Sequence, residues 1–120
     1  MRKFVLTTLA AIALSATVAV AADDVMASRY GNTTVSTDAQ GVETKVYYNA
    51  DHTFTFKSAA QSGKGTWKLD GANICLTYET PMAGVPNPLC LPVTARKVGE
   101  TWTTGEGAQK RTVKLVAGVQ

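Results

Sequence analysis

Few residues of this 120-residue chain have the chemistry to move protons, attack a carbonyl or hold a metal. The single histidine, His52, stands in "NADHT", and the two cysteines, Cys75 and Cys90, close the stretch "CLTYETPMAGVPNPLC". A hydrolytic triad needs a histidine to relay its proton, so His52 is the one candidate. Its setting is a four-residue turn, however. Histidine shares with Asn and Asp an enrichment where a non-glycine residue takes positive φ. The expectation for His52 is therefore a turn residue in a slot that glycine would fill more easily. Asp51 and Asp70 also belong to turns, while Glu79, Glu100 and Glu106 flank loops. Nothing in their spacing brings two carboxylates together, as glycoside hydrolysis requires. No serine sits in a nucleophile elbow. "GKG" at 63–65 lacks the phosphate-loop pattern and opens no helix. Two cysteines with 14 residues between them, and one histidine far away, are poor zinc-ligand arithmetic. The reading is no catalytic residue, no metal and no cofactor.

The first residues bear on compartment. Arg2 and Lys3 precede an apolar or neutral run from Phe4 to Leu14, and Ala19-Val20-Ala21 supplies small residues for a signal peptidase. Residues 1–21 read as a secretory signal peptide, cleaved after Ala21 or Ala22. The run is shorter than the roughly 20 apolar residues that span a bilayer, so no stable membrane anchor is expected. The full chain carries 12 basic and 9 acidic residues. Removing Arg2 and Lys3 leaves 10 against 9, or +1. The basic balance therefore belongs largely to the leader and gives no support for nucleic-acid binding. Lys64, Lys68, Lys110, Arg111 and Lys114 read as ordinary solvated positions. Residues 22–120 form one domain with a modest core, expected to be monomeric. An exported domain of this size commonly adds a disulfide, here Cys75–Cys90.

The elements that would position these residues follow a period of two. Asp23-Asp24-VMASRY before Gly31 suits one short helix at 24–30. Beyond it, strands are expected at Thr33 to Thr37, Val42 to Tyr48 and Thr53 to Lys57, where Phe54 and Phe56 point inward. Ser58 to Lys64 reads as a polar connection. Trp67 and Leu69 then face inward, and Asp70-Gly71 marks a hairpin turn. Ile74, Leu76 and Tyr78 form the next inner face, with Cys75 and Thr77 opposite. Leu89, Leu91, Val93 and Ala95 share a face, and Pro92 places this strand at an edge or bulge. Trp102 anchors a seventh strand, and Arg111 to Ala117 a last one. Seven or eight short strands make an all-β antiparallel meander, a small barrel or a sandwich, lipocalin-like by analogy.

Two surfaces remain as candidates. Pro81, Pro86 and Pro88 stiffen the loop between the cysteines, and Met82, Val85 and Leu89 give it apolar area. A stiff loop loses little entropy on docking, so Pro81, Met82, Val85, Pro86 and Pro88 form a candidate partner-binding loop. The competing expectation is that its apolar residues fold back to plug one end of the barrel. Phe54, Phe56, Trp67, Tyr78 and Trp102 either fill the core or line an apolar pocket.

The run "YYNADHTFTF", then "GTWKLDG", then "ICLTY" and a second cysteine resembles small secreted or periplasmic β-domain proteins of alphaproteobacteria. Their pattern is an N-A-D-G-T-F-like turn, a G-T-W strand and a cysteine pair. The likeness covers Val42 to about Thr104 and departs from the pattern at His52, where glycine is usual. It implies the compartment and a β fold and transfers no catalytic residue. A looser likeness, at the level of fold, is to periplasmic inhibitors of lysozymes or proteases. The functional expectation is a non-catalytic exported binding protein of the bacterial cell envelope, periplasmic or secreted. It would engage an envelope protein or a small apolar ligand. The alternatives are a hydrolase inhibitor acting through the 79–89 loop, or an enzyme of another type.

Overall fold

The computed structural model describes residues 22–120, so the expected signal peptide lies outside the described residues. Eight antiparallel strands form one curled half-barrel sheet. They are β1 (Thr33–Thr37), β2 (Glu43–Tyr48), β3 (Thr53–Ser58), β4 (Ser62–Asp70), β5 (Asn73–Tyr78), β6 (Leu89–Pro92), β7 (Thr101–Thr104) and β8 (Arg111–Val116). Their order is β6-β5-β4-β3-β2-β1-β8-β7. This is the neighbour order of an eight-stranded up-and-down barrel with one pairing missing. Every strand lies beside its sequence neighbours except β6 and β7, which form the two free edges. The chain from 93 to 100 joins those edges, so it crosses the open seam.

The N-terminal element, expected as a short helix at 24–30, is a 3₁₀ helix over Ala22–Arg29. A 3₁₀ run of eight residues is long for its type, and tertiary contacts hold it. Met26 is fully buried in the main core. Ser28 donates from its hydroxyl to the Arg96 carbonyl, and Arg29 donates to the Thr94 carbonyl at 3.2 Å. The helix is thus tied to the segment that crosses the seam. Gly31, at φ 74°, ends it in the left-handed conformation expected of a helix-terminating glycine.

Period-two alternation places the core. Phe54, Phe56, Trp67, Ile74 and Leu76 are buried with Met26 and Tyr48 on the concave face. The ring of Tyr78 stands edge-on to both Phe54 and Phe56, at 5.4 and 5.5 Å, the arrangement that ring quadrupoles favour. The supposed connection Ser58 to Lys64 is shorter than expected, because β4 begins at Ser62. Gly63 and Gly65 pair with Phe56 and Phe54 across the ladder. Having no side chains, the two glycines leave room for the rings to lie over the strand. Such cross-strand covering of a glycine by an aromatic ring stabilises a bent sheet.

Candidate functional site

The loop between the cysteines is built from beneath. Cys75 and Cys90 face each other across β5 and β6 and are joined by a disulfide. Pro92 lies on β6, a sheet edge, as its missing N–H requires. Beyond the last ladder pair, Leu76 with Leu89, the side chain of Asn87 continues the pairing in place of a strand. Its Oδ1 accepts from the Tyr78 amide at 2.9 Å, and its Nδ2 donates to the Tyr78 carbonyl at 3.3 Å. Met82 is half-buried and packs against the core, and the Val85 amide donates to the Met82 carbonyl at 3.2 Å. Pro81, Pro86 and Pro88 are exposed, and Val85 is half-buried. The loop's residues thus divide between core and surface. Met82 is its anchor, and the prolines form its outward face.

Beside the loop runs a groove of about 460 Å³, walled by Ser62, Gly63, Lys64, Thr80, Pro81 and Met82 among others. It continues over the convex face of the sheet into a second depression of about 490 Å³. Both are shallow and polar-rimmed rather than enclosed apolar cavities.

The aromatic candidates lie in the core. Trp67 is 2% exposed and Phe54 1%. The Trp67 ring is held between Tyr30 at 6.2 Å and His52 at 4.1 Å. Its Nε1 donates to the Asn49 carbonyl at 3.1 Å, and its backbone amide to the His52 carbonyl at 2.8 Å. Trp102 lies instead at the seam, half-buried, with the guanidiniums of Arg96 and Arg29 at 4.5 and 5.7 Å from its ring centre.

Arg29 itself is only 5% exposed. Burial lowers its pKa, yet a guanidinium stays charged. Its donors go to the carbonyls of Val25 and Thr94. Sequence reasoning missed this residue. A lone arginine after Ser28 carries no signal of burial. Arg96 pairs with Glu100 at 2.8 Å. That hydrogen bond, then the Lys97 amide, holds the Glu100 carboxyl below the usual carboxylate range. Burial pushes the Tyr48 phenol up to about 12.

His52 has φ 68°, the only positive φ at a non-glycine residue among those described. The Thr53 hydroxyl and amide lower the pKa of the neighbouring Asp51 by donating to its carboxylate. The described residues hold no group of three or more His, Cys, Asp or Glu side chains able to share a metal ion. No helix among them is long and apolar enough to cross a membrane. The fold defines an up-and-down antiparallel sheet with one open seam and one cross-strand disulfide. No protein-family model, curated protein or solved structure matches the chain.

Proposed function

We propose that this chain is a non-catalytic binding protein of the bacterial cell envelope, exported and oxidised, that engages a protein partner through the 79–89 loop. One observation carries the reading. The loop is fastened at three points, by the Cys75–Cys90 bridge, the Asn87–Tyr78 pairing and Met82, while Pro81, Pro86 and Pro88 stay exposed. A surface already ordered in the free protein loses little conformational entropy on docking. The burial of Trp67 and Phe54 favours a protein over a small apolar ligand, because a ligand would have to displace core rings. Inhibition of an envelope hydrolase is one form such docking would take, with the same loop entering the enzyme's cleft.

The test is affinity capture from envelope extract with the oxidised protein beside its Val85→Asp/Pro86→Asp variant. Met82 is left intact because it belongs to the core. A partner held by the parent and lost by a folded variant supports the reading. Identical captures from the two, or increased fluorescence of an added apolar dye that tracks displacement of the Trp67 stack, would replace it with the small-ligand alternative.

A further inference from the structure

The strand register gathers lysines that are scattered in sequence. On the convex face Lys114 lies opposite Val35, Val35 opposite Lys45, and Lys45 directly opposite Lys57. Lys64 stands on the next strand beside Thr55, one residue pair along. With strands about 4.8 Å apart, Lys114, Lys45 and Lys57 form a line roughly 14 Å long. Lys64 extends it into the 490 Å³ depression. Among the described residues, Lys64 has a carboxylate partner, Glu79 at 3.7 Å, and both side chains are largely exposed. Lys45, Lys57 and Lys114 have none at ion-pair distance among the described residues. Glu43, two residues before Lys45, and Asp70, at the far end of β4, are the further acids on the strands of this face. Lys57 is held over the Tyr47 ring at 5.8 Å. Like charges directly opposed across a ladder destabilise a sheet. Lys45 with Lys57 is such a pair, offset only by the Tyr47 ring against Lys57.

We infer that this lysine line is a binding site for an acidic polysaccharide. The charge pattern is linear and runs into a groove, which suits a chain rather than a single anion. The groove's walls carry hydroxyls from Thr55, Ser62 and Thr80 beside Lys57 and Lys64, donors and acceptors matched to sugar hydroxyls as well as to carboxylates. An anionic membrane fits less well. The large exposed apolar residues are Val42, Leu91, Val98 and Val119, and only Val119, whose neighbour Gln120 bonds Tyr47 and Thr33, lies near the line, too little apolar area to insert among lipids. A nucleic-acid strand fits less well too, since sequence-independent binding relies on open aromatic faces, and the Tyr47 face is covered by Lys57. The lysine line adjoins the loop at Pro81 but includes neither Val85 nor Pro86, and the inference does not depend on the reading proposed for the loop.

The experiment is chromatography of the exported, oxidised protein on immobilised alginate, a polyuronate, with neutral dextran as the control matrix. Retention on alginate alone is expected, released by moderate salt. Lys45→Gln/Lys57→Gln should weaken affinity roughly tenfold at low salt, and lower the slope of log affinity against log salt by roughly 1 to 2. Lys97→Gln/Lys110→Gln has the same net charge and should bind like the parent. Lys57, Lys97 and Lys110 are exposed and Lys45 is half-buried, and circular dichroism checks that each variant folds. The inference is overturned by failure to bind alginate, by equal loss in the two charge variants, or by stronger lysine-dependent binding to phosphatidylglycerol vesicles. The Val85→Asp/Pro86→Asp variant should keep its alginate retention, so the two proposals fail separately.

Discussion

The imidazole of His52 lies 4.1 Å from the Trp67 ring and 20° from parallel to it, while its own backbone sits at φ 68°. A side chain in the left-handed region costs about 1 kcal/mol relative to glycine. A ring stack returns about 0.5–1.5 kcal/mol. The two terms nearly cancel, which accounts for a histidine where the turn geometry calls for glycine.

Substitutions at this position should separate the two terms. His52→Gly relieves the backbone and loses the stack, so its stability should stay within about 1 kcal/mol of the parent. His52→Ala keeps the backbone cost and loses the stack, and should be less stable than His52→Gly by about 1 kcal/mol. Urea denaturation followed by tryptophan fluorescence measures both. A His52→Ala protein as stable as His52→Gly would remove the backbone argument.

The two inward glycines of β4 should respond unequally. A methyl group on Gly65 would meet the backbone carbonyl oxygen of Thr77 inside van der Waals contact, with the Phe54 ring at 2.9 Å. On Gly63 the nearest atoms are the far edge of the Phe56 ring, at 2.7 and 2.9 Å. A ring can tilt, whereas a ladder carbonyl moves only with its strand. Gly65→Ala should therefore destabilise by about 3 kcal/mol, and Gly63→Ala by about 1 kcal/mol. Thermal melts of the two variants make the comparison, and equal shifts would show that β5 yields as easily as a ring.

Those glycines also show where the sequence was legible. Phe54 and Phe56, Trp67 and Leu69, and Ile74 and Leu76 announce their strands, because alternate side chains share a face. His52 announced its backbone, because few residue types accept positive φ. Gly63 and Gly65 hid the first residues of β4, since an inward glycine contributes nothing to an apolar period. The signal lay across the ladder, in two glycines spaced like the two phenylalanines they face. The lysine line needs the register of four strands before Lys114, Lys45 and Lys57 become neighbours. Barrel closure depends on whether β6 reaches β7, and no local pattern encodes that long-range pairing.

Stability should fall at both ends of the pH scale, for opposite reasons. The carboxyls of Glu100 and Asp51 have pKa values below their ordinary range. They contribute stability that is present above the unfolded carboxyl pKa of about 4 and lost as pH falls through the folded values. The Tyr48 phenol is raised to about 12. It contributes stability that is present below about 10 and lost as pH rises towards 12, on the order of 2–3 kcal/mol. The urea midpoint should be flat between about pH 5 and 9. Glu100→Gln should shallow the acid limb and Tyr48→Phe the alkaline limb. An alkaline limb unchanged in Tyr48→Phe would assign the loss to another group.

The seam should be the part of the fold most sensitive to Arg29. Its guanidinium bonds the Val25 carbonyl at 2.9 Å and the Thr94 carbonyl at 3.2 Å, and lies 5.7 Å from the Trp102 ring. One side chain thus links the N-terminal helix, the segment leaving β6, and β7, the three parts that meet where the sheet does not close. Arg29→Ala removes a donor from two carbonyls and uncovers Trp102, and should cost about 2–3 kcal/mol. Arg29→Lys should recover little, because one ammonium lacks the planar fork that serves two carbonyls and lies against a ring. Amide exchange distinguishes this local role from general loss of stability. Thr101 to Thr104 and the helix should exchange faster in Arg29→Ala, while β3 and β4, on the far side of the sheet, keep the protection set by global unfolding. Uniform acceleration in all strands would mean that Arg29 supports the core as a whole rather than the seam.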